Sequence, residues 1–136
     1  MPPFESLRTP TDWHAWFSLQ AEWTRPTRLW LYRQAPLSQA RSVLEVGCGT
    51  GAIAGEVARM VQARVVGLDI DAAMLAVARQ KAGAVTLVQG DAHFLPFADR
   101  AFDLVLCHYL LLWLANPVRG VQEMVRVVRA GGTVLA

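Results

Sequence analysis

The sequence predicts an α/β domain built on a doubly wound parallel sheet, and three observations carry that expectation. From Arg41 onward, short apolar runs alternate with amphipathic segments of helical length. The first run, Ser42 to Val46, reads as a strand buried on both faces, the pattern of a parallel sheet. It leads into Gly47-Cys48-Gly49-Thr50-Gly51, a glycine turn placed between strand and helix. Alternating units of this size imply right-handed crossovers and helices on both faces of one sheet. The 136 residues make one domain, large enough to bury about two-thirds of its unfolded surface.

Residues 4–40 differ in texture, holding four of the five tryptophans (Trp13, Trp16, Trp23, Trp30) with Phe4, Phe17 and Tyr32. Asp12 is placed to cap a helix reaching about Ala21, and Pro26 to open another ending near Gln34. Trp13, Trp16 and Phe17 share a helical face, and Leu29, Tyr32 and Arg33 share another loosely. Two readings stay open for this segment. Its aromatics pack helices onto the sheet, or residues 1–40 form a cap whose aromatic face and Arg25, Arg28 or Arg33 meet a ligand.

The remaining elements follow in order. Gly51 to about Gln62 is a helix with Ile53, Ala54, Val57, Ala58 and Val61 inward. Arg64 to Leu68 is a second strand ending at Asp69; Asp71 caps a helix whose inner face is Met74, Leu75 and Ala78, broken at Gly83. Val85 to Val88 is a third strand, and Asp103 to about Cys107 a fourth. Asn116-Pro117 starts a helix running to about Val128, with Val121, Met124, Val125 and Val128 on one face. Gly131-Gly132 ends it, and Thr133 to Ala136 begins a fifth strand.

The chemistry is placed on the turns. Glycine lets the backbone take positive φ and approach a ligand closely, and the helix that follows aims its unpaired N–H groups there. Gly47, Gly49 and Ala52 also satisfy G-x-G-x-x-[GA], which leaves a nicotinamide dinucleotide open. Asp69, at the end of the second strand about 20 residues past the turn, is placed to accept bonds from ribose hydroxyls. Asp91 and the next N–H, that of Ala92, offer an acceptor beside a donor, matching the edge of adenine. As structural alternatives, Asp91 forms a turn, and Phe94, Leu95 and Phe97 are core plugs. Asp103 orders the start of the fourth strand.

Glu45 stands two residues before Gly47, giving E-x-G-x-G-x-G over Glu45 to Gly51, and Gly90-Asp91-Ala92-His93-Phe94-Leu95-Pro96-Phe97 is followed by Phe102-Asp103-Leu104-Val105. Together with Arg126-Val127-Val128-Arg129-Ala130-Gly131-Gly132, these stretches resemble the class I S-adenosylmethionine-dependent methyltransferases, in particular small-molecule and quinone-methylating members. The resemblance covers residues 43–136. It implies a Rossmann-like sheet of order 3-2-1-4-5, with 1–40 as a helical cap and 41–136 as the cofactor core. It also implies S-adenosyl-L-methionine as cofactor and S-adenosyl-L-homocysteine as product. The cofactor-binding positions it points to are Glu45, Gly47, Cys48, Gly49, Gly51, Asp69, Ile70, Met74, Asp91, Ala92 and His108. Strands 6 and 7 of the family's sheet have no counterpart here, which implies a chain truncated after strand 5 and, as one solution, a second copy covering that edge.

His108 and Tyr109 follow the fourth strand, at the carboxyl edge where open α/β sheets bind ligands. His108 is a candidate general base and Tyr109 a candidate for orienting an acceptor; a packed bystander is the alternative for the histidine. A methyl on a sulfonium needs chiefly a nucleophile held in line, so positioning carries most of the catalysis. A net charge of +2 with scattered basic residues argues against nucleic acid or an anionic membrane as partner and leaves a small-molecule acceptor. Cys48 and Cys107 form no metal-ligand spacing and no expected disulfide, so no metal and a cytoplasmic location are expected. A non-catalytic cofactor-binding module is the alternative function.

Overall fold

The computed structural model describes residues 8–136; Phe4 and the rest of residues 1–7 lie outside them. The chain runs α1 (Pro10–Gln34), a 3₁₀ turn (Leu37–Gln39), β1 (Ser42–Val46), α2 (Ala52–Met60), β2 (Arg64–Asp69), α3 (Ala72–Lys81) and β3 (Val85–Gln89). After these come β4 (Phe102–Leu106), a second 3₁₀ turn (Leu110–Leu112), α4 (Pro117–Val127) and β5 (Val128–Leu135). The five strands form one sheet in the order β3-β2-β1-β4-β5, all parallel. Chain direction across the sheet reverses between β1 and β4, and this switch point is where such sheets open a crevice.

Alternate β1 residues feed two cores. Val43 packs with Val65, Leu104 and Leu106 under α1, α2 and α3, through Ala21, Tyr32, Ile53, Val57 and Leu75. Leu44 and Val46 pack on the opposite face with Val66, Leu68, Val105 and the α4 residues Met124 and Val127. The β3–β4 crossover has no helix. Its loop, 90–101, is clasped by α4: Arg126 donates to the carbonyls of Leu95 and Phe97, each at 2.9 Å, and to Asp99 at 2.7 Å. The buried Glu123 pairs with Arg126 at 2.8 Å and accepts the Leu95 N–H at 2.8 Å.

Five expectations need correction. The N-terminal segment is one helix of 25 residues, not two. Thr9 is its cap, reciprocally bonded with Asp12 in a capping box; Asp12 is the third helical residue. Pro26 sits inside the helix, which continues through it although an interior proline removes one N–H donor and crowds the preceding turn.

The inner face of α4 is Gly120, Glu123, Met124 and Val127, whereas Val125 is exposed. Val128 already belongs to β5, so strand follows helix without a loop, and Gly131-Gly132 lie inside the strand. They form an irregularity: Phe102 pairs with Val128 but Leu104 with Thr133. Gly131 has φ +73°, and a Cβ on Gly132 would stand 2.6 Å from the Asp103 carbonyl oxygen, so close backbone approach explains the glycine pair.

Finally, the aromatic residues divide. Leu95 is buried and Phe97 packs on the core, meeting Phe102 edge-on, but Phe94 is exposed beneath the Arg119 guanidinium. Trp23 and Trp30 are exposed as well, while Tyr32 is buried. Core packing therefore accounts for only part of the aromatic content of α1.

Candidate functional site at the carboxyl edge of the sheet

The glycine turn is built from backbone. Gly47 and Cys48 both donate to the Leu68 carbonyl, at 2.7 and 2.9 Å, and Gly51 donates to the Cys48 carbonyl at 2.8 Å. Gly47, Gly49 and Gly51 have φ of 73°, 52° and 80°, a region costly for any side chain bearing a Cβ. Gly51 is the cap of α2. The Asp69 carboxylate spans two turns, accepting Gly49 N–H at 2.7 Å on Oδ2 and Asp71 N–H at 2.9 Å on Oδ1. Asp71 caps α3 through Ala73 and Met74, as the sequence predicts. Next to Asp69, the Ile70 side chain is exposed and its carbonyl accepts from Gln89.

Asp91 follows β3. Its Oδ1 accepts both the backbone N–H of His93, at 2.8 Å, and the ring Nδ1 of His93, at 2.7 Å, which hold its pKa below the ordinary value. His93 Nε2 accepts the Asn116 N–H at 3.2 Å, so the ring proton sits on Nδ1. Sequence reasoning did not single out His93. The H-at-two-residues-after-Asp spacing of an Asx turn was its available signal.

Glu45 lies below the turn on the α1 side. It is 2% exposed, receives the Ala54 backbone N–H, and leaves Oε2 without a partner. Burial pushes its pKa up to about 8, with Asp69 adding to the shift. Among the described residues the Tyr32 hydroxyl and Glu56 Oε1 are also buried without a hydrogen-bond partner, though Glu56 Oε1 stands 3.5 Å from Arg25 Nε. Burial also raises the thiol pKa of Cys48, and that of Cys107 to about 11. The Cys48 side chain faces Gly67 rather than the outer rim, so only its backbone remains for the site. Both cysteines are free thiols.

Helix α1 lies across this edge. His14 Nδ1 meets the buried Thr50 hydroxyl at 2.8 Å, and Thr24 Oγ1 meets His108 Nε2 at 3.2 Å. Arg28, 5% exposed, binds Glu56 through Nε at 3.1 Å and also through Nη2. The open faces of two glycines are covered from inside the chain: a Cβ on Gly49 would meet Phe17, and one on Gly47 would meet Leu110. Burial, with the Arg28 charge, lowers the pKa of His108. Tyr109, at φ +58°, turns its ring edge-on to His108. Asp103 stands at the opposite end of β4, where it accepts from Arg41 and Ser42 as expected of a structural acid.

The structure thus brings Gly47, Gly49, Gly51, Asp69, Ile70, Asp91 and Ala92 to one rim, with Met74 in the first turn of α3 and His108 and Tyr109 on the next strand end. Glu45 lies beneath them. A cavity of about 600 Å³ opens between α1 and the ends of β4 and β5. A polar groove of about 610 Å³ lies between α1 and α2. Among the described residues no cluster of His, Cys, Asp and Glu could hold a metal ion, and no helix is long and apolar enough to cross a membrane.

The profile of the methyltransferase domain matches residues 44–136. The chain belongs to that family. Within it, the chain is 40% identical over 111 residues to a demethylmenaquinone methyltransferase of Deinococcus radiodurans, covering 74% of this chain and 46% of that one. It is 34% identical over 124 residues to a 2-phytyl-1,4-naphtoquinone methyltransferase of Thermosynechococcus vestitus, covering 88% and 50%. Among solved structures, the [4+2]-cyclase SpnF is 31% identical with a TM-score of 0.72, over 82% of this chain and 43% of SpnF. The chain spans about half the length of the curated relatives it matches.

Proposed function

We propose that this chain carries the cofactor-binding core of an S-adenosyl-L-methionine-dependent methyltransferase acting on a small, quinone-type acceptor. The observation that carries the reading is the convergence of Asp69, Asp91 and the glycine turn on one rim at the switch point, in a chain of the methyltransferase domain family. The residues fit the cofactor. Glu45 holds one buried carboxyl oxygen unpaired beneath the turn, an acceptor left for a ligand donor, and the positive-φ glycines let a ligand approach the backbone closely.

In this reading Asp69 accepts from the ribose hydroxyls, while Asp91 and the Ala92 N–H meet the adenine edge. Ile70 and Met74 flank the base. Gly47, Cys48, Gly49 and Gly51 present backbone, and α1, within the segment 1–40, caps the 41–136 core. Phe17 and Leu110 must yield when the nucleoside binds. The cofactor supplies a methyl on a sulfonium, and the chain holds the acceptor in line with it, so that displacement proceeds chiefly by positioning. His108 is the base candidate and Tyr109 the orienting group. The relatives' names support a quinone-type acceptor.

A second reading is a binding module without turnover. One observation favours it: β5 pairs only with β4 among the described strands, an edge that a second copy would cover. Calorimetry with S-adenosylhomocysteine decides the cofactor. Affinity in the micromolar range or tighter supports both readings, and methyl transfer to a naphthoquinol separates them. No binding removes both.

A further inference from the structure

His93 uses every polar atom it has, and it uses them on two different elements. Toward the rim, its backbone N–H and its ring Nδ1 both meet Asp91 Oδ1, at 2.8 and 2.7 Å. Toward α4, its ring Nε2 accepts the Asn116 N–H at 3.2 Å, and its carbonyl accepts from Arg119 Nε at 3.1 Å. Asn116 is the cap of α4, so its N–H has no partner within that helix. The Phe94 N–H, donating to the Asp91 carbonyl at 3.0 Å, closes the same loop. The His93 side chain is 19% exposed, against 42% for Asp91.

A backbone group sets the direction of these bonds. The Asn116 N–H can only donate, so Nε2 is bare and the ring proton sits on Nδ1, facing Asp91. Both donors of His93 therefore fall on one carboxyl oxygen, and among the described residues Asp91 Oδ2 accepts no hydrogen bond. A half-exposed aspartate left alone samples several rotamers. Two bonds to Oδ1 fix the carboxylate before any ligand arrives, which removes an ordering cost from binding. An ionised carboxylate accepts and cannot donate, so the open oxygen recognises an N–H donor and repels a carbonyl.

We propose that His93 is a positioning residue for nucleobase choice: it holds Asp91 so that Oδ2 meets the exocyclic amine of adenine, and it ties that acid to the start of α4. This rests on the assignment of Asp91 to the adenine edge above. The two ring nitrogens divide the work. Nδ1–H sets the preference of the carboxylate for a 6-amino group, and Nε2 secures the loop to α4. Substitution separates the two tasks. Asparagine carries an amide nitrogen at the same number of bonds from Cβ as Nδ1 and has nothing at the Nε2 position. Glutamine reaches one bond further, toward Asn116, and has no polar group at the Nδ1 position.

The test uses the whole chain and calorimetry with two probes, S-adenosylhomocysteine and its analogue lacking the 6-amino group. The unaltered chain should bind the first at least about tenfold more tightly, the worth of one charge-assisted bond. His93→Gln should lose that preference, as Asp91→Ala does, and His93→Asn should keep it although its urea midpoint falls. A merely structural role would shift both affinities alike and leave the preference in place. A His93→Gln chain that keeps the preference overturns the proposal, and so does a His93→Asn chain that loses it. Long-range ¹H–¹⁵N spectra of the unaltered chain, assigned with His93→Asn, give a check that no variant's folding can spoil: an Nδ1–H ring is expected, and an Nε2–H ring overturns the proposal. If Asp91→Ala removes the preference and His93→Gln does not, only this inference fails. If Asp91→Ala keeps it, the adenine assignment of Asp91 fails and takes this inference with it; if neither probe binds, the methyltransferase reading fails first and both fall.

Discussion

Asp69 and Gly49 are joined across two strand ends: the Asp69 Oδ2 accepts the Gly49 backbone N–H at 2.7 Å. One carboxylate therefore shapes the glycine turn and, in the reading proposed above, meets the ribose hydroxyls. Asp69→Ala should cost about 1–3 kcal/mol of stability through the stranded N–H groups. Beyond that, it should weaken S-adenosylhomocysteine binding at least about tenfold, one lost charge-assisted bond's worth. Urea denaturation and calorimetry on the same preparation separate the two effects, and near-normal affinity would count against the ribose assignment.

Glu45 gives a pH signature of unusual sign. Its pKa is raised in the folded chain, to about 8 from 4.5, so the folded state binds its proton more tightly than the unfolded state. Stability from this group is fully present below pH 4.5 and is lost as pH rises toward 8. Asp103 and Glu123 act oppositely: their pKa values are lowered, chiefly by Arg129 and Arg126, so their contributions fade as pH falls below the ordinary carboxylate range. Thermal melts should therefore peak on the acid side of neutral. Glu45→Gln should flatten the decline between pH 5 and about pH 8 while leaving the acid limb in place.

The Glu123–Arg126 clasp sets the loop that carries Asp91. Arg126→Leu leaves the buried Glu123 carboxylate with only the longer Arg119 pair at 3.4 Å and the Leu95 N–H, and frees two loop carbonyls, so stability should fall by roughly 2 kcal/mol or more. Glu123→Leu added to it should recover part of the loss, because the stranded charge is gone. Chemical denaturation of the single and double variants provides the cycle, and a double variant no better than the single would contradict the account.

Gly132→Ala drives a Cβ to 2.6 Å from the Asp103 carbonyl oxygen, a backbone atom with little freedom to move. The expected loss is about 1–3 kcal/mol. A neighbouring control comes from Gly83→Ala, where nothing lies within 4 Å and only the φ of +64° is unfavourable. Its loss should be smaller, about 1 kcal/mol, as read from paired melting curves.

Where the pattern was local, the sequence was legible. The alternation of strands and helices, the caps at Asp71 and Asn116 and the strand-end positions of Asp69 and Asp91 follow from short-range chemistry, and the strand order from the family resemblance. Long-range partnerships left no such trace. The Glu123 carboxylate sits on the apolar face of α4 because Leu95 and Arg126 meet it there, a pairing visible only once the loop is folded back. Pro26 suggested a break, yet α1, packed against α2 and α3, runs through it. Gly131-Gly132 suggested a helix stop, whereas they answer to the Asp103 carbonyl across the strand pair. The Thr24–His108 contact joins residues 84 apart and was beyond any motif.

The double acceptance by the Leu68 carbonyl carries a mechanical consequence. On one side of the crevice the jaw is riveted through main chain, so mutation of surface residues cannot loosen it. On the other, α1 hangs by the side chains of His14, Thr24 and Arg28. The two jaws should part unequally: deuterium uptake will be slow at Gly47 and Cys48 and quicker along the crossing helix, which makes that helix the part evolution can retune without redrawing the floor beneath it.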